Sequence, residues 1–414
     1  MSVGEDIPRR IVFMDSFPRL GGAEHSLLEL LRHLDRDRFS PALITSERGE
    51  LSREATGLDV AVRFCPHPRK LSTMSRTALD VKSFCAGIGG LPGYLRQLAA
   101  TVRKLGADLV YTNALKDHIA AALLHPAIGR PTVWHFRDRM EGPMLRRVVA
   151  ALAWGASTHL IANSNFTAGQ FPRLSGMHRK VTVIHNGMDL AAVDSRRGVG
   201  LESPVPSCDG PVVVVVGALC PEKGQELLIR SLPLLVRTVP NVSCWIVGEE
   251  IYSTSRHHHG YKAQLQTLAE ELDMSERVHF LGWRTDVIAV IDQADILVNC
   301  SDPSLFIETF GRTLVEAMAC EKPVVTIARG GPCETVVNGE TGVLFETYRP
   351  ETLAEGVARL AGDPPLMRRM GRAGRRRVEE CFTVERYVRA IETRLDDLLG
   401  ARGTTGTVSR RRDS

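Results

Sequence analysis

Short apolar runs rich in β-branched residues alternate with longer amphipathic stretches along most of this chain. The run Val-Val-Val-Val-Val at 212–216 is apolar at every position. That pattern belongs to a strand covered by helices on both faces, whereas a strand with one wet face alternates. The same reading predicts strands at 11–15, 42–45, 60–64, 109–112, 132–136, 160–162 and 181–184, then a second set at 212–216, 244–247, 278–281, 296–298 and 324–327. Strands separated by helical patterns imply βα units and parallel sheets. Between the two sets, residues 194–211 carry Gly198, Gly200, Pro204, Pro206 and several serines with no sustained apolar period, the composition of a linker.

The expected architecture is α/β: two doubly wound Rossmann-like domains, at 1–190 and 212–381, joined by a linker at 191–211. A length of 414 residues agrees, because one hydrophobic core seldom serves so long a chain. A helical pattern at 382–400 follows, and 401–414 is expected to be a disordered tail.

Composition narrows the class further. Hydrophobic residues make up 43% and charged residues 24%, as in ordinary soluble proteins. The 52 basic residues barely exceed the 48 acidic ones, so no nucleic-acid partner is expected. Nine cysteines lie scattered without zinc-site spacing, which suits free thiols in a reducing compartment. Glu5, Asp6 and Pro8 stand where a secretory signal needs basic residues and an apolar run, and no segment has the roughly 20 apolar residues of a membrane span. The expected location is cytoplasmic, with any membrane contact peripheral at the inner face.

In doubly wound sheets, ligands sit outside the carboxyl ends of the strands. After the predicted strand at 296–298 come Glu308 and, eight positions on, Glu316, with a helix starting near Gly311. A helix start offers unpaired N–H groups and a positive dipole end, so Thr309, Phe310 and Gly311 form a candidate diphosphate cradle. Glu316 lies about 7 Å further along the axis, at a ribose's distance from such a phosphate. Taken alone, the spacing also describes a helix-start charge and a solvated carboxylate.

The segments Asn299-Cys-Ser-Asp-Pro-Ser-Leu-Phe-Ile-Glu308, Glu316-Ala-Met-Ala-Cys-Glu-Lys-Pro-Val-Val and Gly330-Gly-Pro-Cys-Glu334 together resemble the family-4 retaining glycosyltransferases. The resemblance implies a GT-B architecture, in which the two domains face a central cleft and the last helix returns to the first domain. It also implies a nucleotide-sugar donor used as co-substrate, with no separate cofactor and no bound metal. By the same resemblance Glu316 binds the nucleotide ribose and Glu308 lies beside the transferred sugar, as nucleophile or as electrostatic stabiliser. Lys223, in Val216-Gly-Ala-Leu-Cys-Pro-Glu-Lys223-Gly224, matches the family's phosphate-binding lysine, but Ala218 stands where the family has an arginine. Arg137 or Arg312 is the expected substitute. Gly21-Gly22 resembles the family's glycine loop toward the donor phosphate.

The acceptor side is less defined. Pro131-Thr-Val-Trp-His135-Phe-Arg137-Asp138 ends a strand where the family often has a histidine, so His135 and Arg137 are both catalytic candidates. Asn113 and Asn163 end neighbouring strands and are acceptor-side candidates. His185-Asn186-Gly187 resembles the turn before the linker, where Asn and Gly tolerate positive φ. His257-His258-His259 reads better as a solvated loop than as a metal site, since adjacent histidines cannot all face one ion from a regular element. The stretch 67–93, with Arg69, Lys70, Arg76 and Lys82, falls where acceptor loops vary. Residues 95–105 read as a packed surface helix or a helix lying on an anionic membrane.

The expected activity is transfer of a hexose-type sugar to a saccharide, lipid-linked or small-molecule acceptor in glycan or glycoconjugate biosynthesis. Two alternatives stay open: a nucleotide-sugar epimerase of the same architecture, and a non-catalytic nucleotide-sugar-binding protein, which Ala218 favours. A nicotinamide oxidoreductase fits least, because no Gly-x-Gly-x-x-Gly follows the opening strand.

Overall fold

The computed structural model describes residues 7–68, 90–140, 142–171, 177–250 and 260–400. The tail 401–414, the histidine cluster at 257–259 and the four basic residues singled out between 69 and 82 lie outside them. The chain forms two compact units. The first comprises Met1–Asn163, Thr167–Gly187 and Val384–Ser414, and the second Ser164–Phe166 and Met188–Thr383.

The first unit holds a seven-stranded sheet in the order β3-β2-β1-β4-β5-β6-β7. Its strands are β1 (Arg9–Met14), β2 (Phe39–Thr45), β3 (Ala61–Phe64), β4 (Leu109–Thr112), β5 (Thr132–Phe136), β6 (His159–Ala162) and β7 (Val181–Val183), every pair parallel. Alternate residues of β1 feed opposite layers: Ile11 and Phe13 enter one core, Val12 and Met14 another. The helix Val384–Gly400 buries Val384, Tyr387, Val388, Ile391 and Leu395 in the first of these cores.

The second unit holds a six-stranded parallel sheet in the order β10-β9-β8-β11-β12-β13. These strands are β8 (Val212–Val216), β9 (Ser243–Val247), β10 (Val278–Gly282), β11 (Ile296–Asn299), β12 (Val324–Ile327) and β13 (Gly342–Phe345). The valine run divides as its pleat requires, with Val213 and Val215 in one core and Val212 and Val214 in the other.

The doubly wound α/β expectation therefore holds for each unit. Two details differ from it. Strand β13 was not anticipated; it has four residues, opens on Gly342 and lacks a longer apolar run. The expected linker 191–211 belongs to the second unit, because Leu190, Val193, Leu201 and Val205 pack on its core.

In both sheets the order reverses between strands that are not consecutive in sequence, β1 and β4 in the first and β8 and β11 in the second. Loops leaving a sheet at such a switch point diverge and open a crevice. Those four strand ends carry the side chains described next.

Candidate functional site

The loop after β8 runs into a short 3-10 turn, Pro221–Lys223, and then Gly224. Gly224 has φ +65°, and a Cβ there would lie 1.9 Å from the Cys300 carbonyl oxygen. Only glycine lets this loop lie against the one leaving β11. The approach is fixed by Cys300 Sγ, 3.5 Å from the Lys223 carbonyl, and by Asp302 N–H donating to the Glu222 carbonyl at 3.1 Å.

Lys223 and Glu308 meet at this junction, the Lys223 ammonium donating to Glu308 Oε1. The same oxygen accepts from Ser301 Oγ at 3.0 Å and lies 3.5 Å from Asn299 Nδ2. The Lys223 side chain is 29% exposed and that of Glu308 14%, so the pair is sheltered yet reachable from solvent. Phe306 lies under the ammonium, 4.7 Å from nitrogen to ring centroid. Burial works against the Glu308 carboxylate, but Lys223, Ser301 and Asn299 outweigh it and hold its pKa below the ordinary range. Burial likewise opposes the Lys223 ammonium, and Glu308 reverses the effect, raising its pKa. Both groups are charged at neutral pH.

The Glu308 loop is braced from below by Gly330 and Gly331. Gly330 has φ +68°, and a Cβ on it would lie 2.4 Å from the Glu308 carbonyl oxygen; one on Gly331 would lie 2.3 Å from that of Thr309. Gly331 N–H donates to the Glu308 carbonyl at 2.8 Å. The chain then turns at Gly311, φ +83°, into the helix Arg312–Ala319. Phe310 is buried edge-on to Phe382, ring centroids 5.7 Å apart. Glu316 faces inward on the first turns of this helix, held by Arg312 Nε at 2.9 Å with both side chains 14% exposed. It is therefore a sheltered, oriented carboxylate rather than a solvated one. The structure brings Lys223, Glu308, Thr309, Phe310, Gly311 and Glu316 together at the β8–β11 switch point and the helix start beside it.

The candidates in the first unit fare differently. Arg137 is 6% exposed and His135 is buried. The Arg137 guanidinium donates from Nε to Asn113 Oδ1 at 2.9 Å, from Nη2 to the Tyr387 hydroxyl at 2.8 Å, and from Nη1 to Asn186 Oδ1. Nη2 also lies 3.1 Å from His135 Nδ1, which the Tyr111 hydroxyl approaches at 2.5 Å. Burial first, and Arg137 second, push the His135 pKa well below its usual value, so the imidazole is neutral. Asn113 in turn donates from Nδ2 to Asp15 Oδ2 at 2.7 Å.

These contacts bear on the expectations for the first unit. The Arg137 guanidinium is held inside this unit by Asn113, Asn186 and Tyr387. His135 and Asn113 belong to the same buried network and not to an accessible rim. Asn186 acts as a hydrogen-bond acceptor, and neither it nor Gly187 has positive φ. Asn163 is 2% exposed and accepts from Thr167 Oγ1 at 2.8 Å. Gly21 caps the helix Gly22–His33, its N–H donating to Glu24 Oε2 at 2.9 Å, and a Cβ on Gly22 would meet nothing within 4 Å.

Sequence reasoning gave no role to Asn299, Ser301 and Phe306, which hold the Lys223–Glu308 pair, although all three stand in the segment that carried the resemblance. Asp15 and Tyr387 were also missed. Asp15 has a signal, as a polar residue ending an apolar strand at a switch point; Tyr387 has none, since it arrives from 250 positions beyond Arg137.

Comparison with known proteins agrees with this geometry. The family model described as glycosyl transferases group 1 matches residues 203–377, and that described as glycosyltransferase family 4 matches 20–192. A GDP-mannose-dependent alpha-(1-6)-phosphatidylinositol monomannoside mannosyltransferase of Mycolicibacterium smegmatis is 35% identical over 172 residues, 40% of this chain and 43% of the relative. A D-inositol 3-phosphate glycosyltransferase of Streptomyces avermitilis is 28% identical over 299 residues, 70% of this chain and 60% of the relative. The matched stretches thus span about half the length of these curated relatives. Among solved structures, Anabaena HepE in complex with UDP and glucose superposes with a TM-score of 0.76 at 25% identity, covering 93% of this chain and 99% of that one.

Two Rossmann-like units, matched in turn by the two family models, define the GT-B fold class. The chain belongs to the family-4 glycosyltransferases.

Proposed function

We propose that this protein is a retaining glycosyltransferase that moves a hexose-type sugar from a nucleotide-sugar donor to a saccharide or lipid-linked acceptor. The observation that carries this reading is the sheltered Lys223–Glu308 pair at the β8–β11 switch point, beside a helix start whose inward carboxylate is Glu316. In the proposed mechanism the donor diphosphate takes Lys223 and the N–H groups near Gly311, and Glu316 takes the ribose hydroxyls. Glu308, freed of its cation by the diphosphate, faces the positive charge that develops at the anomeric carbon. Cationic and backbone donors supply the leaving-group stabilisation, so the mechanism calls for no resident metal. The relatives act with GDP-mannose or on inositol phosphate by their names, and HepE was crystallised with UDP and glucose, which supports a nucleotide-sugar donor without choosing among them.

A screen of UDP- and GDP-sugars for binding, hydrolysis and transfer tests the reading, with Glu316→Ala as control. A donor is expected to bind at least tenfold more weakly to that variant, and NMR of the product is expected to show the donor's anomeric configuration. Unchanged affinity, or an inverted product, overturns the ribose assignment or the retention respectively. Ala218 favours a second reading, binding without transfer, which donor affinity with no turnover on any acceptor would establish.

A further inference from the structure

The first unit carries a helix, Pro143–Ala156, whose outward face is unlike that of its neighbours. Its buried stripe is Val149, Ala150 and Ala153. At 3.6 residues per turn the opposite face is Met144, Val148, Ala151 and Gly155, all exposed and none charged. Met144 is 67% and Val148 48% exposed, Trp154 on the flank 46%, and Leu123 on the adjoining helix Leu115–Ile128 41%. A helix apolar on both sides is ordinarily buried on both.

The helix Leu91–Lys104 shows the ordinary arrangement. It buries Tyr94, Leu98, Ala99 and Val102 and turns Arg96, Gln97, Arg103 and Lys104 outward. Of the two readings open for residues 95–105, the structure supports the packed surface helix.

The apolar face of Pro143–Ala156 has a basic rim. Arg147, one turn from Met144 and Ala151, stands on its flank, whereas Arg146 lies one turn before Val149 and Ala150 on the buried side, its Nε donating to the Met140 carbonyl at 3.1 Å. At the other end the Lys180 ammonium lies 5.0 Å from the Trp154 ring centroid. The helix itself contains no acidic residue. We propose that this face docks on an anionic lipid bilayer, with Met144, Val148, Trp154 and Leu123 in the interfacial zone and Arg147 and Lys180 at the headgroups. An apolar face between cationic flanks is what such a surface binds. A second copy is the poorer partner, because the face is cationic at both ends, with Arg147 at one and Lys180 at the other, and a two-fold contact sets like charge against like charge. Among the described residues no helix is long and apolar enough to cross a membrane, so the contact is one of lying on the surface.

The inference does not depend on the donor reading, and its test uses none of the donor-site residues. The full chain is sedimented with vesicles of phosphatidylcholine alone and with phosphatidylcholine containing phosphatidylglycerol. Wild-type protein is expected to sediment with the anionic vesicles and to be released by salt. The double substitution Met144→Glu and Val148→Glu is expected to lower partition at least tenfold, and Arg147→Ser about fivefold, with melting temperature unchanged. No binding to anionic vesicles, or equal binding by the variants, overturns the proposal. So does a lipid-free dimer that Met144→Glu and Val148→Glu dissociate in light scattering, which would assign the face to a second copy.

Discussion

The two switch points are built alike and finished differently. At β8 and β11, Lys223 and Glu308 form an ion pair that solvent still reaches. At β1 and β4, Asp15 and Asn113 join Arg137, and Tyr387 from the helix Val384–Gly400 closes the network, its hydroxyl also donating to the Ser26 carbonyl at 3.2 Å. Polar side chains at the carboxyl end of a parallel strand are thus not evidence of a binding site by themselves. What separates the two is whether their hydrogen-bonding capacity is spent on the protein. The pair in the second unit can exchange its partner for a charged ligand, while the guanidinium in the first has its neighbours on three sides.

Exchanging one group at each place breaks or sharpens that contrast. Glu308→Gln removes the negative charge that the proposed transition state uses, and turnover is expected to fall about 10²–10³-fold, with only a small change in melting temperature. Arg137→Ala reverses the pattern. Leaving Asn113, Asn186 and the Tyr387 hydroxyl short of a buried donor is expected to cost about 3 kcal/mol or more, read as a lower denaturant midpoint, while donor affinity of the folded protein persists. Arg137→Lys should recover little, because one ammonium cannot span the positions of a planar fork. A stable Arg137→Ala with lost donor binding would place Arg137 in the site after all.

A gentler change addresses how the second site is held. Gly330→Ala brings a Cβ to 2.4 Å from the Glu308 carbonyl oxygen at φ +68°. The displaced loop is expected to weaken donor binding about tenfold, about 1.4 kcal/mol. Calorimetry with the donor found by the screen measures it. Unchanged affinity would mean that Glu308 tolerates a shifted loop.

Much of this was legible in the sequence because the strands are buried on both faces and read as unbroken apolar runs. The spans at 109–112, 132–136, 212–216 and 324–327 coincide with β4, β5, β8 and β12. Strand β13 was lost because four residues opening on glycine carry too little pattern. Glu308 through Glu316 lie on one loop and helix start, so their juxtaposition follows from local geometry, and Lys223, 85 positions before Glu308, joins them because β8 and β11 are neighbours in the sheet. The fate of Arg137 does not: it is decided by Tyr387, which reaches it only through the packing of the last helix.

Acid offers the smallest and most telling comparison. The Glu308 pKa is held low, so its contribution to stability is complete above the ordinary carboxylate value near 4.3 and lost only as pH falls through the lower folded value. The Lys223 pKa is raised, so its contribution is complete below about 10.4 and lost as pH rises through the folded value. The pair should be indifferent to pH between about 5 and 10. Among the described residues the first unit buries three neutral histidines, His135, His118 and His159, of which His118 is lowered to about 3 by burial and by Arg137 and His159 to about 4 chiefly by burial. The unfolded chain takes up their protons below about 6.5 and the folded chain refuses them, so stability falls as pH drops from there. Asp15, raised by burial, Glu24 and Asp117, acts in the opposite sense and offsets part of the loss. From pH 7.5 to 5.5 the first unit should lose about 1 kcal/mol per histidine before that offset. His118 stacks on Trp134 with ring centroids 5.2 Å apart, so tryptophan fluorescence and peptide-resolved hydrogen exchange follow the change where it occurs. Faster exchange in β4 and β5 with none in β8 and β11 is the expected result, and equal loosening of both sheets would show that the two strand ends are not as differently built as their contacts imply.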